Sequence, residues 1–185
     1  MDYVLALARL TLTNPRAAAR TLLDAPFPRE LHWTLFLIVI CLGGAVFAAA
    51  DILVPQEDQP EISGLMAAAM VGGSVLIWTG IMLLAGRLFG SRADAPDAML
   101  LVLWLGLLSV AVQAIVVLVE VVLPGLGAVL GLVYFLLSIW LLSAFAAELH
   151  GLDGALRGFL AIAGAALAIL FLLAVLRAVL IAPMG

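Results

Sequence analysis

The chain has 185 residues, of which 66% are hydrophobic and only 11% charged, and its net charge is −4 at pH 7. A water-soluble domain is about half apolar and a quarter charged, so this composition excludes a protein that lives in water alone. It also gives no basic surface for nucleic acid, which is not an expected partner. The apolar runs are continuous rather than alternating, a pattern that favours membrane-spanning helices over a β-barrel.

Residues 1–28 differ from the rest of the chain, and we predict that they form an amphipathic segment ahead of a membrane domain over 29–185. Val4, Leu7 and Leu10 share one face of a helix, and this apolar run is too short to cross a bilayer. Such a helix lies in the plane of the headgroups. The alternative is an arm outside the bilayer that packs on the membrane domain.

A second short helix is predicted directly after this one. Asn14 is a favourable N-cap, and Pro15 is of the residue type favoured at the first helical position. Arg16 and Arg20 are four residues apart and therefore share one side of this helix. We expect both arginines to face lipid headgroups.

Five apolar segments reach the roughly twenty residues that a helix needs to cross about 30 Å of hydrocarbon. Prolines, glycines and acidic residues separate them, which is typical of turns between helices. We therefore predict an all-α polytopic membrane protein, a five-helix transmembrane bundle preceded by an amphipathic surface helix. The predicted spans are 33–54, 65–86, 98–123, 126–147 and 158–182.

The arginines predict the orientation of this bundle. Two of the loops between spans contain no arginine, whereas the N-terminal segment and the other two loops contain all those outside the spans. Because positively charged loops stay in the cytoplasm, the N-terminus is predicted to be cytoplasmic and the C-terminus outside. Arginine without lysine, with abundant Ala, Leu and Gly, favours a GC-rich prokaryotic genome and hence the inner membrane. The arginines expected to contact the membrane surface are Arg9, Arg16, Arg20, Arg29, Arg87, Arg92 and Arg157.

Few polar side chains lie within the predicted spans. An intramembrane enzyme needs a nucleophile beside a base, or two carboxylates at one depth, and the spans supply neither. We therefore predict a protein that is not an enzyme, with no catalytic residue and no cofactor. The notable intramembrane polar residues are Gln113, Glu120 and Arg177, and such groups mark functional sites or helix contacts.

Glu120 and Arg177 are predicted to form an ion pair. Counting along the third and fifth spans places both residues at similar depth, near the outer interface. A lone charge there would be costly, so we expect the pair to clamp the two spans together. Alternatively, a polar site around Gln113, Glu120 and Arg177 would belong to a small transporter or channel.

The turn between the fourth and fifth spans gathers Glu148, His150 and Asp153 on the predicted cytoplasmic side. Glu148 and His150 are two residues apart and do not share a helical face, whereas zinc sites prefer more His or Cys ligands at i, i+3 or i, i+4 spacing. We therefore predict a solvated cap and turn rather than a metal site.

Small residues are frequent in the spans. They allow helix backbones to approach closely when they recur four residues apart. Gly127 and Gly131 are spaced in this way at the start of the fourth span, and we predict a close helix crossing there.

Two stretches resemble the Yip domain family, the Ypt/Rab-interacting-protein type of five-span membrane protein. They are GRLFGSRADAPDAMLLVLWL after the second span and WLLSAFAAELHGLDGALRGFLAI across the turn between the fourth and fifth spans. The resemblance covers about residues 10–182 in order and spacing. It implies a non-enzymatic protein of membrane organisation or trafficking. Signatures of eukaryotic members are missing, so Rab binding is not implied.

From these patterns we expect an integral membrane protein that binds lipid or protein partners through its arginine-bearing cytoplasmic face. Anionic lipids are the expected partners beyond the bilayer itself, because juxtamembrane arginines attract them. A protein partner and a second copy of the chain are the alternatives.

Overall fold

A computed structural model describes residues 2–54, 62–91 and 93–181, without the side chains of residues 29, 88 and 178–181. The helices are α1 (Asp2–Thr13), α2 (Pro15–Leu23), α3 (Arg29–Leu53), α4 (Gly64–Leu88), α5 (Ala95–Val122), α6 (Leu126–Leu149) and α7 (Ala155–Ile181). Helices α3 to α7 are long and apolar enough to cross a membrane. The predicted all-α bundle with five spans is therefore confirmed.

Two helix starts show how local sequence sets these boundaries. The backbone amide of Ala17 donates to the Asn14 side chain at 3.2 Å, and α2 begins at Pro15, as the sequence predicts. The backbone amide of Met66 donates to the Ser63 hydroxyl at 3.2 Å at the start of α4. Each cap satisfies an amide that has no partner within its own helix.

The five spans are arranged so that neighbours in sequence are also neighbours in space. α3 packs against α4 and α5, α6 packs against α5 and α7, and α4 also contacts α5 and α7. Because short connections join antiparallel neighbours, the starts of α3, α5 and α7 meet the ends of α4 and α6 at one end of the bundle. α2 packs there against α6 and α5. We call this the capped end and the opposite one the far end.

α1 and α2 are packed onto the bundle. Leu7, Ala18 and Leu22 are buried in the common core. Thr11 is fully buried, and its hydroxyl oxygen accepts a hydrogen bond from Nε1 of Trp104 in α5 at 3.0 Å. Both helices thus pack on the bundle, and the predicted position of this amphipathic segment at the membrane surface stays a prediction.

Most buried side chains lie near the capped end. They include residues 98 and 100–104 of α5, 143–147 of α6, and 161, 162 and 165 of α7. Towards the far end, residues 170–177 of α7 are all exposed. Exposed apolar side chains carry no penalty in hydrocarbon, so this part of α7 is suited to contact with lipid.

Among the glycines that the structure describes, Gly158 leaves the least room for a side chain, which the sequence analysis missed. A Cβ at this position would collide with the carbonyl oxygen of Ser143 and lie 3.0 Å from the side chain of Ala147. Gly127 does approach α5 closely, but Gly131 faces open space. The predicted crossing is therefore wrong for Gly131, because this glycine is turned away from the neighbouring spans.

Candidate functional site

The capped end contains one carboxylate that two arginines share. Glu148, at the end of α6, accepts hydrogen bonds from Nε of Arg16 at 3.0 Å and from Nε and Nη2 of Arg20 at 2.8 and 2.6 Å. Nη2 of Arg16 also donates to the Leu152 carbonyl at 3.2 Å. The side chain of Glu148 is only 10% exposed, against 40% and 66% for the arginines. Since a desolvated carboxylate needs charged donors, these bonds fasten α2 to the turn between α6 and α7.

This arrangement joins residues that the sequence analysis treated separately. Arg16 and Arg20 were expected to face headgroups, but the structure directs both guanidinium groups to Glu148. Glu148 and His150 are largely buried, so the predicted solvated turn is wrong at these two residues. The physical reason is that α2 covers Glu148, while the end of α4 covers His150.

His150 links the same turn to the end of α4. Its Nε2 lies 2.9 Å from the Met82 carbonyl oxygen, and its Nδ1 lies 3.2 Å from the Ser91 hydroxyl. A carbonyl can only accept, so Nε2 carries a proton and donates to it, which leaves Nδ1 of a neutral ring to accept from Ser91. Burial lowers the pKa of His150 from the ordinary 6.5, and the hydrogen bond to Met82 opposes this shift. The neutral ring is therefore favoured.

Asp153 and Arg157 form a local pair beside this cluster. The Arg157 guanidinium donates to Asp153 at 2.7 Å, and both side chains are exposed. An exposed pair four residues apart adds little to stability. Among the described residues, no three His, Cys, Asp or Glu side chains are grouped in a way that could hold a metal ion.

The other arginines of the predicted membrane surface differ in how far the structure describes them. Arg9 lies exposed on α1, and Arg87 lies exposed near the end of α4. Arg92 and the side chain of Arg29 lie outside the described residues. Contact of these arginines with headgroups stays a prediction.

Glu120 caps α6. Its two carboxylate oxygens accept hydrogen bonds from the backbone amides of Gly125 at 2.9 Å and Ala128 at 3.2 Å. These amides belong to the N-terminal turn of α6, where helix amides lack partners and a negative charge is favourable. Gly127 leaves room for this carboxylate, because a Cβ there would collide with Oε2 of Glu120.

The predicted ion pair between Glu120 and Arg177 is wrong. Within the part of the chain that the structure describes, the acidic partners in ion pairs are Glu148 and Asp153. Glu120 turns to the amides at the start of α6, which lie next to it in space and satisfy its charge. Arg177 lies exposed on α7, within the stretch 170–177 in which every residue is exposed.

Gln113 lines a cavity between α3, α4, α5 and α6 with a volume of about 430 Å³. The cavity wall is formed mainly by apolar residues and also includes Ser109 and Tyr134, which are hydrogen-bonded to each other. Neither Glu120 nor Arg177 lines it. The structure thus separates the three intramembrane polar residues that the sequence analysis grouped.

Comparison with protein families identifies the class of molecule that carries these features. A family model described as the Yip1 domain matches residues 9–176. The chain belongs to the Yip1 domain family. The match begins within α1 and ends within α7, so this Yip1 domain includes α2, the shared carboxylate of Glu148 and all five long apolar helices. The resemblance seen in the sequence is therefore confirmed, and the protein is an integral membrane protein.

Comparisons with proteins of curated function and with solved structures give no significant match. Similarity therefore assigns this protein to the Yip1 domain family and gives no more specific relative.

Several residues of the capped end escaped the sequence analysis. Thr11 interrupts the apolar face of α1, and an isolated hydroxyl on a buried face requires a partner, which here is Trp104. The position of Thr11 on an apolar helical face can therefore be recognised from the sequence. Met82, Gly86 and Ser91 gave no comparable signal, because their role depends on where the ring of His150 lies.

Proposed function

We propose that this Yip1-family protein is a non-enzymatic organiser of a prokaryotic plasma membrane, and that its capped end binds lipids with anionic headgroups on the cytoplasmic side. The observation that carries the proposal is the outward side of α1. Leu7 and Thr11 fix this helix to the bundle, yet Leu5 and Leu12 are more than half exposed and Arg9 is exposed between them.

This side of α1 combines the groups that an interfacial helix needs. Leu5, Arg9 and Leu12 follow an i, i+4, i+7 spacing and so share one side of the helix. Apolar side chains there enter the boundary of the acyl chains, while the guanidinium binds headgroup phosphate. Since the bundle holds α1, lipid bound to it is coupled to the five spans.

The distribution of arginines supports a cytoplasmic capped end. Arg9, Arg16, Arg20, Arg87 and Arg157 all lie there, and positively charged segments stay in the cytoplasm. The far-end loops at 55–63 and 124–125 contain no arginine. Together these positions support the predicted topology, with the N-terminus inside and the C-terminus outside.

Cysteine labelling tests this topology in intact cells. In a background in which the exposed native Cys41 is replaced by alanine, single cysteines are placed at Gln59, Ala93 and Gly185. A membrane-impermeant thiol reagent is expected to label positions 59 and 185 directly, and position 93 only after permeabilisation. Labelling of position 93 alone before permeabilisation contradicts the orientation.

Spin labels test the lipid contact itself in the full-length protein. Nitroxides at Leu5 and Leu12 are compared with a control at Tyr3, which is exposed on another side of α1. In anionic liposomes we expect the first two labels to collide with oxygen more than with a soluble nickel complex, and the control label to show the reverse. Arg9→Gln is expected to remove the difference between anionic and neutral liposomes. Labels 5 and 12 that remain in water with both lipids refute the proposal and leave the exposed side for a protein partner.

The structure gives less support to a transporter or channel. That function would need the polar groups Gln113, Glu120 and Arg177 to face one pathway. Of these three residues, Gln113 lines the cavity. Glu120 accepts hydrogen bonds from backbone amides of α6, and Arg177 is exposed on α7. A membrane organiser needs no such pathway, which favours the first proposal.

A further inference from the structure

The cavity between α3, α4, α5 and α6 has a position that defines where an occupant comes from. Its lining residues fall within 39–43 of α3, 71–78 of α4, 102–113 of α5 and 134–142 of α6. These ranges are central in spans Glu30–Leu53, Gly64–Arg87, Ala95–Val122 and Leu126–Leu149. The cavity therefore lies at the depth of the hydrocarbon core, where the surrounding solvent is lipid.

The cavity opens sideways between two helices. α4 and α6 scarcely touch each other, although both contact α5. Trp78 of α4 and Phe135 of α6 line the cavity and remain 40% and 58% exposed, which places them at its mouth. A molecule dissolved in the bilayer can enter through this mouth without crossing water.

The walls are suited to an apolar chain. Val39, Val75, Leu105 and Leu142 are typical of the lining, and none of the described residues that form it is charged. A volume of about 430 Å³ lies within the range of about 300–1,000 Å³ that ligand sites usually have, with mostly apolar walls and a few polar groups. An ion would find no counter-charge here, so the walls favour a lipid.

Ser74 and Ser138 in the cavity wall already donate hydrogen bonds to carbonyl groups of their own helices. Ser74 donates to the Val71 carbonyl at 2.7 Å, and Ser138 donates to the Phe135 carbonyl at 2.7 Å. The oxygen atom of each hydroxyl keeps the ability to accept a further hydrogen bond. These residues therefore present acceptors to the cavity and no donors.

Ser109 and Tyr134 follow the same logic. Ser109 donates to the Leu105 carbonyl at 2.9 Å, so the phenol of Tyr134 is the donor in the hydrogen bond between the two side chains. The phenol oxygen then remains as an acceptor. The amide of Gln113 makes no hydrogen bond to the described residues and can both accept and donate. The donor groups of the wall are the Gln113 amide and the indole of Trp78, whereas the oxygens of Ser74, Ser138, Tyr134 and Gln113 are all acceptors. The polar part of the wall thus has more acceptor groups than donor groups.

We propose that this cavity binds a long-chain lipid that carries a free hydroxyl group. The apolar chain fills the space along Val75 and Leu142, and the hydroxyl group donates a hydrogen bond to the acceptors around Tyr134 and Gln113. A lipid ester or ether without a hydroxyl has no proton to donate and leaves these acceptors unpaired. The site is independent of the lipid contact proposed for α1, which lies at the capped end.

A pair of photoreactive probes tests the proposal in the full-length protein reconstituted into phosphatidylcholine nanodiscs. One probe is hexadecanol with a diazirine in the middle of its chain, and the other is the methyl ether of the same alcohol. After irradiation, mass spectrometry locates the labelled peptides. We expect the alcohol to label the 71–78 and 134–142 segments about five times more than the ether does, as one hydrogen bond predicts. Exposed residues 170–177 serve as the internal control, and both probes should label them equally.

Matched variants decide whether the cavity causes this labelling. Ser138→Phe fills the cavity and is expected to abolish labelling of 71–78, whereas Leu132→Phe places the same aromatic side chain at an exposed position of α6 outside the cavity and should not. Ser74→Leu fills the cavity from the opposite wall and decides the matter if Ser138→Phe does not fold. Tyr134→Phe with Gln113→Leu should keep labelling by both probes but bring the alcohol-to-ether ratio to about one.

Three results overturn the proposal. They are equal labelling of the cavity by the alcohol and the ether, labelling that persists in both filled variants, and labelling confined to 170–177. A second copy of the chain seated in the cavity would appear as crosslinks between proteins and would likewise refute it.

Discussion

The imidazole ring of His150 occupies the space in which a side chain at Gly86 would lie. A Cβ on Gly86 would collide with Cε1 of the ring and lie 2.6 Å from Nδ1. This close approach lets the ring reach the Met82 carbonyl on the same helix and the Ser91 hydroxyl beyond its end. The missing side chain at Gly86 therefore allows His150 to join α4 to the turn between α6 and α7.

Gly86→Ala is expected to destabilise the protein by about 1–3 kcal/mol, because the new methyl group displaces the His150 ring from its hydrogen bonds. Gly80→Ala is the matched control on the same helix, where a Cβ meets open space. That change should be neutral or slightly stabilising, since alanine is the better helix former. Thermal unfolding in detergent measures both, and equal melting temperatures for the two variants contradict the role of Gly86.

Stability is expected to fall when the pH drops below the ordinary pKa of histidine. Burial lowers the pKa of His150 in the folded protein, while the unfolded chain keeps a pKa near 6.5. Between these two values the unfolded state binds more protons, so the free energy of unfolding decreases on acidification through this window. Well above pH 6.5 the ring is neutral in both states and contributes no pH dependence.

Unfolding by denaturant in detergent at pH 7.5 and 5.5 measures this dependence. His150→Asn keeps a polar side chain but cannot titrate, so its loss of stability between the two pH values should be smaller than that of the wild type. The comparison cancels the contribution of His32 and of the carboxylates, which both proteins share. An identical loss in the two proteins shows that His150 is not the titrating group.

Glu148→Gln is expected to loosen α2 from the bundle. The change removes the charge that holds Arg16 and Arg20, and both arginines are exposed enough to turn towards water or headgroups. We expect the backbone amides of α2 to exchange hydrogen about ten times faster than in the wild type. Asp153→Asn is the control, because it removes a carboxylate from the same turn. Its pair with Arg157 is exposed, so we expect the free energy of unfolding to change by less than about 0.5 kcal/mol and exchange in α2 to stay as in the wild type. Unchanged exchange in α2 with Glu148→Gln would show that apolar packing alone holds this helix.

The capping role of Glu120 predicts additivity with Arg177. Glu120→Gln should lower stability by about 1 kcal/mol, because the amides of Gly125 and Ala128 lose a charged acceptor. Arg177→Gln should have a small effect, and the double variant should equal the sum of the two within about 0.5 kcal/mol. The double-mutant cycle is measured by thermal unfolding in detergent. A coupling energy above about 1 kcal/mol between the two residues would support the ion pair and contradict the capping role.

The sequence predicts best what depends on neighbouring residues. The five spans follow from continuous apolar runs, and the start of α2 follows from Asn14 and Pro15. The pairing of Arg16 with Glu148 spans 132 positions, and no local pattern can indicate it. Glu120 is an intermediate case, because its partner amide at Gly125 is only five residues away. Comparing depths in the membrane led us to predict Arg177 as the partner of Glu120. The backbone amides at the start of α6 are closer along the chain and form the hydrogen bonds instead.

The cavity shows a similar limit. The polar residues Ser109, Gln113 and Tyr134 can be read from the sequence, but their common depth on α5 and α6 depends on how the two helices pack. The narrow contact between α4 and α6 that opens the cavity is a property of the assembled bundle.

The unequal packing of the two ends has a consequence for how the protein responds to its membrane. Buried side chains are concentrated at the capped end, whereas residues 170–177 of α7 are all exposed, so little side-chain packing holds this part of the helix in place. A thinner or thicker bilayer is therefore expected to change helix tilt and separation at the far end while the capped end keeps its geometry. The molecule thus combines a rigid end with one whose shape reports the thickness of the surrounding bilayer.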